Sequence, residues 1–211
     1  MAYPIISAPY GLKPINLIGG QVFAGATRQL PIAASYTTAI FNGSVVTLVA
    51  GGTIENSPLA ADTSPLAGVV GVFLGCSYIN PSTKQLTFSQ YWPGVSGATN
   101  IEAFITDDPD QLYQAVNVAG TTADDVTSGL LPAYLGQTMV GSNARLVLNT
   151  GSTTTGNAKV GIYSAAGATT SSLPLRIVDV VPDTANSSGN FVEFIVKLNF
   201  GYHSYYNATG I

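Results

Sequence analysis

The chain has 211 residues, a length that suits one β-rich domain or two small ones and allows a true hydrophobic core. Apolar residues make up 46%, an ordinary share, but charged residues only 9%, against roughly a quarter in a typical soluble domain. The formal net charge is −4 and the seven Lys and Arg are scattered, so no basic run exists to neutralise phosphates and nucleic acid is not an expected partner.

The missing charge has a consequence for the surface. Where Lys, Glu, Asp and Arg normally coat a free protein, Ser, Thr, Asn, Gln, Gly and Ala must do so here. Such a surface costs little to desolvate and suits a protein held against neighbours. The sign is also uneven. Lys13 and Arg28 both precede Glu55, the first acidic residue, so residues 1–54 carry +2 and the remaining 157 carry −6, from five basic and eleven acidic groups. A weakly positive leading segment would dock onto an acidic surface, although chance in a charge-poor chain produces the same pattern. The single cysteine, Cys76, excludes an internal disulfide and reads as a small buried hydrophobe. No stretch approaches the ~18 apolar residues of a membrane-spanning helix. The start MAYPIISAPYGLKP lacks the basic and apolar regions of a signal peptide, so synthesis and retention in the cytoplasm are expected.

In chain order, Pro4, Pro9 and Pro14 punctuate residues 1–20, each biasing its predecessor toward an extended conformation. This segment reads as an extended N-terminal arm with little helix or sheet of its own, lying along its own surface or a neighbour's. Residues 21–211 form the body. Strands are predicted at Thr27–Ala33, Ser44–Ala50, Val69–Ile79, Gln85–Trp92, Ile101–Thr106, Leu112–Val118, Ala144–Leu148, Lys159–Tyr163, Leu175–Val181 and Phe191–Phe200. Turn signals such as Gly51–Gly52, Asn80–Pro81 and Pro93–Gly94 separate them. Alternation is clearest in the last strand. Val192, Phe194, Val196, Leu198 and Phe200 form its buried face, and Phe191, Glu193, Ile195, Lys197 and Asn199 the other.

Helix signal is sparse. Residues 110–116 follow a cap-like Asp108–Pro109 and form either one or two helical turns or a strand; 128–139 suits a short helix broken by Pro132 and Gly136. Residues 149–172, nearly all Gly, Ser, Thr, Ala and Asn, read as exposed loops around one weak hairpin or edge strand. The fold class is therefore all-β, an antiparallel β-sandwich or β-barrel with an extended N-terminal arm and little helix.

Chemistry-bearing patterns are few. The lone histidine, His203, sits among tyrosines with no nucleophile elbow to serve, and reads as a packing or interface residue. Asp107–Asp108–Pro109–Asp110 lacks the ligand spacing of a calcium loop and reads as turn chemistry, as does Asp124–Asp125. Gly19–Gly20 and Gly51–Gly52 have no following Lys–Ser/Thr. No catalytic residue, cofactor or metal site is expected, and the chain is expected not to be an enzyme.

Several collinear stretches carry a resemblance: APYGLKPINLIGGQVFAGATRQLPI, TTAIFNGSVVTL, GVVGVFLGCSYINPSTKQLTFSQYWPG, ITDDPDQLY, GSTTTGNAKVGI, SLPLRIVDVV and VKLNFGYHSYYNATG. They resemble small virion proteins of tailed bacteriophages, particularly those of marine bacteria and cyanobacteria. The central strand pattern is similar to that of capsid decoration (cement) proteins. The resemblance implies a structural protein on the capsid outer surface, bound to the major capsid protein and to itself as a homotrimer or other homo-oligomer, with no membrane partner. A tail- or fibre-associated virion component is the alternative. Expected interface residues are Tyr3, Tyr10, Leu12, Lys13 and Ile15 in the arm, Arg28 beyond it, and Tyr202, Tyr205 and Tyr206 at the tail. The competing expectation for the apolar and aromatic members is packing against the chain's own body. On the interface reading, deleting the first 18 residues leaves a folded domain that no longer binds shells.

Overall fold

A computed structural model describes residues 6, 8–57, 69–118, 133–168, 173–184 and 191–199. In chain order the strands are β1 (Lys13–Leu17), β2 (Arg28–Pro31), β3 (Val45–Val49), β4 (Thr53–Asn56), β5 (Val69–Ile79), β6 (Leu86–Ser89), β7 (Thr99–Thr106) and β8 (Gln111–Val116). A six-residue helix, α1 (Ala133–Thr138), precedes β9 (Asn143–Val147), β10 (Gly161–Ala168), β11 (Leu175–Val180) and β12 (Glu193–Leu198). Two antiparallel sheets pack face to face as a β-sandwich. One has the order β1-β8-β12-β11-β9-β10, the other β2-β7-β5-β3-β4, with β6 also pairing β5.

Each sheet is centred on a strand whose sequence suits burial. β5, VVGVFLGCSYI, is buried at every position except Leu74 and Ile79. It pairs with β7 along one edge, and with β3 and then β6 end to end along the other. Val69 and Val72 point into the core shared with the first sheet, beside Tyr113, Leu146, Ile162, Phe194 and Val196. Val70, Phe73, Cys76 and Tyr78 point the other way, into a second cluster around Trp92. That cluster fills the concave side of the second sheet, where β2 comes near β4. Trp92 is fully buried, stands edge-on to Tyr78 with centroids 5.2 Å apart, and donates its indole N–H to the Tyr36 carbonyl at 3.1 Å. In the first sheet β12 alternates as its sequence demands, with Phe194, Val196 and Leu198 buried.

The described part of the arm lies along the chain's own body, one of the two places expected for it, but it contributes a strand where little sheet is expected. Residues 13–17 form β1, which pairs antiparallel with β8 through Lys13↔Gln114, Pro14↔Tyr113 and Leu17↔Gln111, with a register shift after Pro14. Proline, lacking an N–H, is tolerated because this is an edge strand. Leu12 is fully buried in the main core, and its N–H bonds the Gly43 carbonyl at 3.0 Å. The close approach requires glycine at both ends: a Cβ on Gly11 would lie 2.9 Å from the Gly43 backbone, and both residues have φ of +87°.

Of the two readings of residues 110–116 the strand is the one found: the Asp108 side chain accepts the Asp110 N–H at 2.8 Å, closing a turn that leads directly into β8. One further expectation is corrected. The 149–172 stretch is not simply exposed, since Gly156, Ala158 and Val160 are buried. Asn157 forms a parallel bridge with Asn42, and the Phe41 ring lies over Gly151 so closely that a Cβ there would sit 2.2 Å from it. Gly151 and Gly156 serve tight apposition, while Thr153, Thr154 and Thr155 are exposed as the composition suggests. Within the stretch, β10 does form the expected edge strand; residues 169–172 lie outside the described residues.

Candidate functional site

The residues expected at an interface divide sharply. Tyr3, Tyr202, Tyr205 and Tyr206 lie outside the described residues, as do His203 and Asp124–Asp125. Leu12 is withdrawn into the core, fully buried beneath the cleft described below. Tyr10 packs on the chain's own outer face with Ile6, against Val116, Val118, Val147 and Phe191. Lys13 is exposed and Ile15 half-buried on β1. Arg28 sits on β2 in the other sheet and pairs with Asp107 at 3.0 Å, so part of the leading positive charge is neutralised within the chain.

Tyr10, Leu12 and Lys13 do meet at one place. With Ile6, Gln114 of β8, Glu193 of β12, Asn42 and Asn157 they line an open cleft of about 440 Å³. Glu193 is the unexpected member. Strand alternation assigns it to the exposed face of β12, yet it is 5% exposed because the arm crosses that face. Its carboxylate accepts a hydrogen bond from the Tyr10 hydroxyl at 2.5 Å, and its backbone N–H bonds Thr184 Oγ1 at 3.0 Å. Burial, the bond to Glu193 and the nearby negative charge push the Tyr10 phenol well above its ordinary value. Tyr10 therefore stays protonated and donates to Glu193. The two asparagines are engaged too: Asn42 Nδ2 donates to the Leu74 carbonyl at 2.6 Å and Asn157 Oδ1 accepts from Gln90 Nε2 at 2.6 Å. The arrangement clamps the arm to the body.

Elsewhere the acidic turn is accounted for within the chain. Asp107 pairs with Arg28, Asp108 closes its own turn, and Asp110 pairs with Lys197 at 2.9 Å. Among the described residues no three His, Cys, Asp or Glu side chains are grouped to hold a metal ion. Cys76 is buried, and burial pushes its thiol up to about 12, the setting of a packed rather than a reactive cysteine.

The surface also holds a feature the sequence reading passed over. Four large apolar side chains are exposed among the described residues: Ile18 (51%), Val22 (75%), Leu86 (59%) and Phe88 (71%). Ile18 and Val22 belong to the hairpin after β1, closed by the Leu17 N–H to the Gln21 carbonyl. Leu86 and Phe88 alternate on β6, and Phe88 lies nearly parallel to Phe104 of β7 with centroids 6.5 Å apart. The signal was present in the sequence: LTFS alternates and contains no charge. No protein-family model, no curated protein and no solved structure matches the chain.

Proposed function

We propose that this chain is a structural component of a bacteriophage particle that binds the capsid outer surface and braces contacts between major capsid subunits. The observation that carries this reading is the surface: bulky apolar side chains stand exposed at two places on a rigid sandwich whose sequence holds only 9% charged residues. A free protein gains nothing from Phe88 or Val22 in water, whereas a protein bound in a shell buries such groups at each junction. Shell contact is assigned to Lys13 and Ile15 of β1 and to Ile18 and Val22 of the adjoining hairpin. Many copies, each held weakly, would together resist the outward pressure of a packed genome. No catalytic role is assigned; the titratable groups of the cleft hold the arm in place. The resemblance to virion proteins in the sequence points the same way, with a tail- or fibre-associated component as its alternative.

Electron cryomicroscopy of the particle that carries the chain tests both. High-copy density on the outer shell is the expected result. Low-copy density at the tail supports the alternative, and absence from the particle overturns the virion reading.

A further inference from the structure

β6 is an edge strand with an unusual combination of properties. It pairs with β5 through Cys76↔Ser89, Ser77↔Phe88, Tyr78↔Thr87 and Ile79↔Leu86, and no other described strand pairs its far side. The Asn80 N–H bonds the Gln85 carbonyl at 2.9 Å and closes the β5–β6 hairpin, with Lys84 at a φ of +58°. In an antiparallel ladder, bonded and non-bonded pairs alternate from such a closing pair. Thr87 and Ser89 thus bond β5, while the N–H and C=O groups of Leu86 and Phe88 point away from the sheet. The same two residues carry the exposed apolar side chains, which lie together on one face.

Unpaired edges are normally protected by charge or proline. β1 has Lys13 and Pro14, β2 has Arg28 and Pro31, and β4 has Glu55, while β10, which has neither charge nor proline, is met along its outer side by Asn117 and by the Val118 N–H, which bonds the Ile162 carbonyl at 2.8 Å. β6, LTFS, has neither. We infer that β6 is a self-pairing edge, which joins the β6 strand of a second copy antiparallel about a two-fold axis through Thr87. This adds a contact between copies to the proposed function and rests on that reading for the high local concentration of copies.

Register and charge both favour a second copy as the occupant. Centred on Thr87, the outward-pointing groups of Leu86 meet those of Phe88 in the mate, twice over, giving two bonded pairs related by symmetry. Each Leu86 then packs beside the mate's Phe88 on the same face, with Phe104 behind it. Lys84 falls opposite the mate's Gln90, so the two lysines stand about 20 Å apart along the strands, beyond screening range. The contact area agrees: a four-residue ladder with two apolar side chains covers well under the ~800 Å² per partner of a stable free complex. Such a contact is weak between free molecules and is populated where copies are crowded.

The test uses the purified full-length chain, independently of any shell. Sedimentation should show a monomer–dimer equilibrium rising toward ~mM concentration, weakened at least about tenfold by Phe88→Lys, with circular dichroism reporting that the variant is folded. Thr87→Cys places two thiols across a non-bonded pair with Cα atoms about 4.5 Å apart, within disulfide range. With oxidised glutathione it should yield a covalent dimer, whereas Ser82→Cys, in the exposed turn, should not. A chain that remains monomeric throughout, a dimer indifferent to Phe88→Lys, or equal cross-linking through Ser82→Cys overturns the inference. None of these results decides whether the chain binds a shell, which the reconstruction above reads separately.

Discussion

Tyr10 and Glu193 are 183 residues apart in the chain and joined by one hydrogen bond in the lining of a cleft. A carboxylate buried beside Phe191, Val116 and the arm needs that donor, because a charge withdrawn from water without a partner is expensive. Tyr10→Phe removes the hydroxyl and keeps the ring. It is expected to cost about 1.5–3 kcal/mol, the range for hydrogen bonds to charged groups, read as a drop in urea-unfolding stability. An unchanged midpoint would show the carboxylate to be hydrated. Cys76 and Tyr113 give a second prediction at this scale. Both groups are buried and both are held above their ordinary values by desolvation, the thiol up to about 12. Each therefore stays protonated in the folded chain at a pH where it ionises in the unfolded chain. The stability they contribute is complete below about pH 9 and is lost as pH rises from there toward 12. Denaturant midpoints should fall through that window, and Cys76→Ala should fall less steeply than the parent between pH 9 and 11.

Elements differ in how openly their sequences state them. β5 and β12 are legible because an apolar run and a strict alternation leave few other ways to bury Val, Ile and Phe side chains. β4, Thr-Ile-Glu-Asn, has too little apolar content to announce itself and exists through its hairpin with β3 across Ala50–Gly52. β1 is obscured by Pro14, which suggests an extended arm lying along a surface rather than a strand until β8 is seen to offer it an edge. The placement of β1 changes what a truncation does. Deleting residues 1–18 strips Leu12 from the core and uncovers the edge of β8. Loss of a buried leucine alone costs about 2–5 kcal/mol, so the truncated chain is expected to unfold at clearly lower urea than the full chain. Equal midpoints would show that the arm contributes nothing to the fold.

For the whole molecule, scarcity of charge is the property with the widest reach. Arg28 and Lys197, two of the seven basic residues, form ion pairs with the chain's own Asp107 and Asp110. Contacts made by the remaining surface rest chiefly on apolar and small polar groups, which salt screens little. On the proposed function, binding to shells should accordingly change less than about threefold between roughly 0.05 and 0.5 M salt, measured by co-sedimentation, and a steep loss would reveal an ionic interface instead. The sequence by itself determined the all-β class, most of the strands and the burial of Cys76, because periodicity and side-chain volume act locally and leave a readable trace. Tertiary structure alone decided that Leu12 turns into the core, that Tyr10 lies across the outer face and covers Glu193, and that Phe88 stays in water on an unprotected edge. Those outcomes depend on which distant segment comes to lie across a given face, and alternation within one strand carries no information about that.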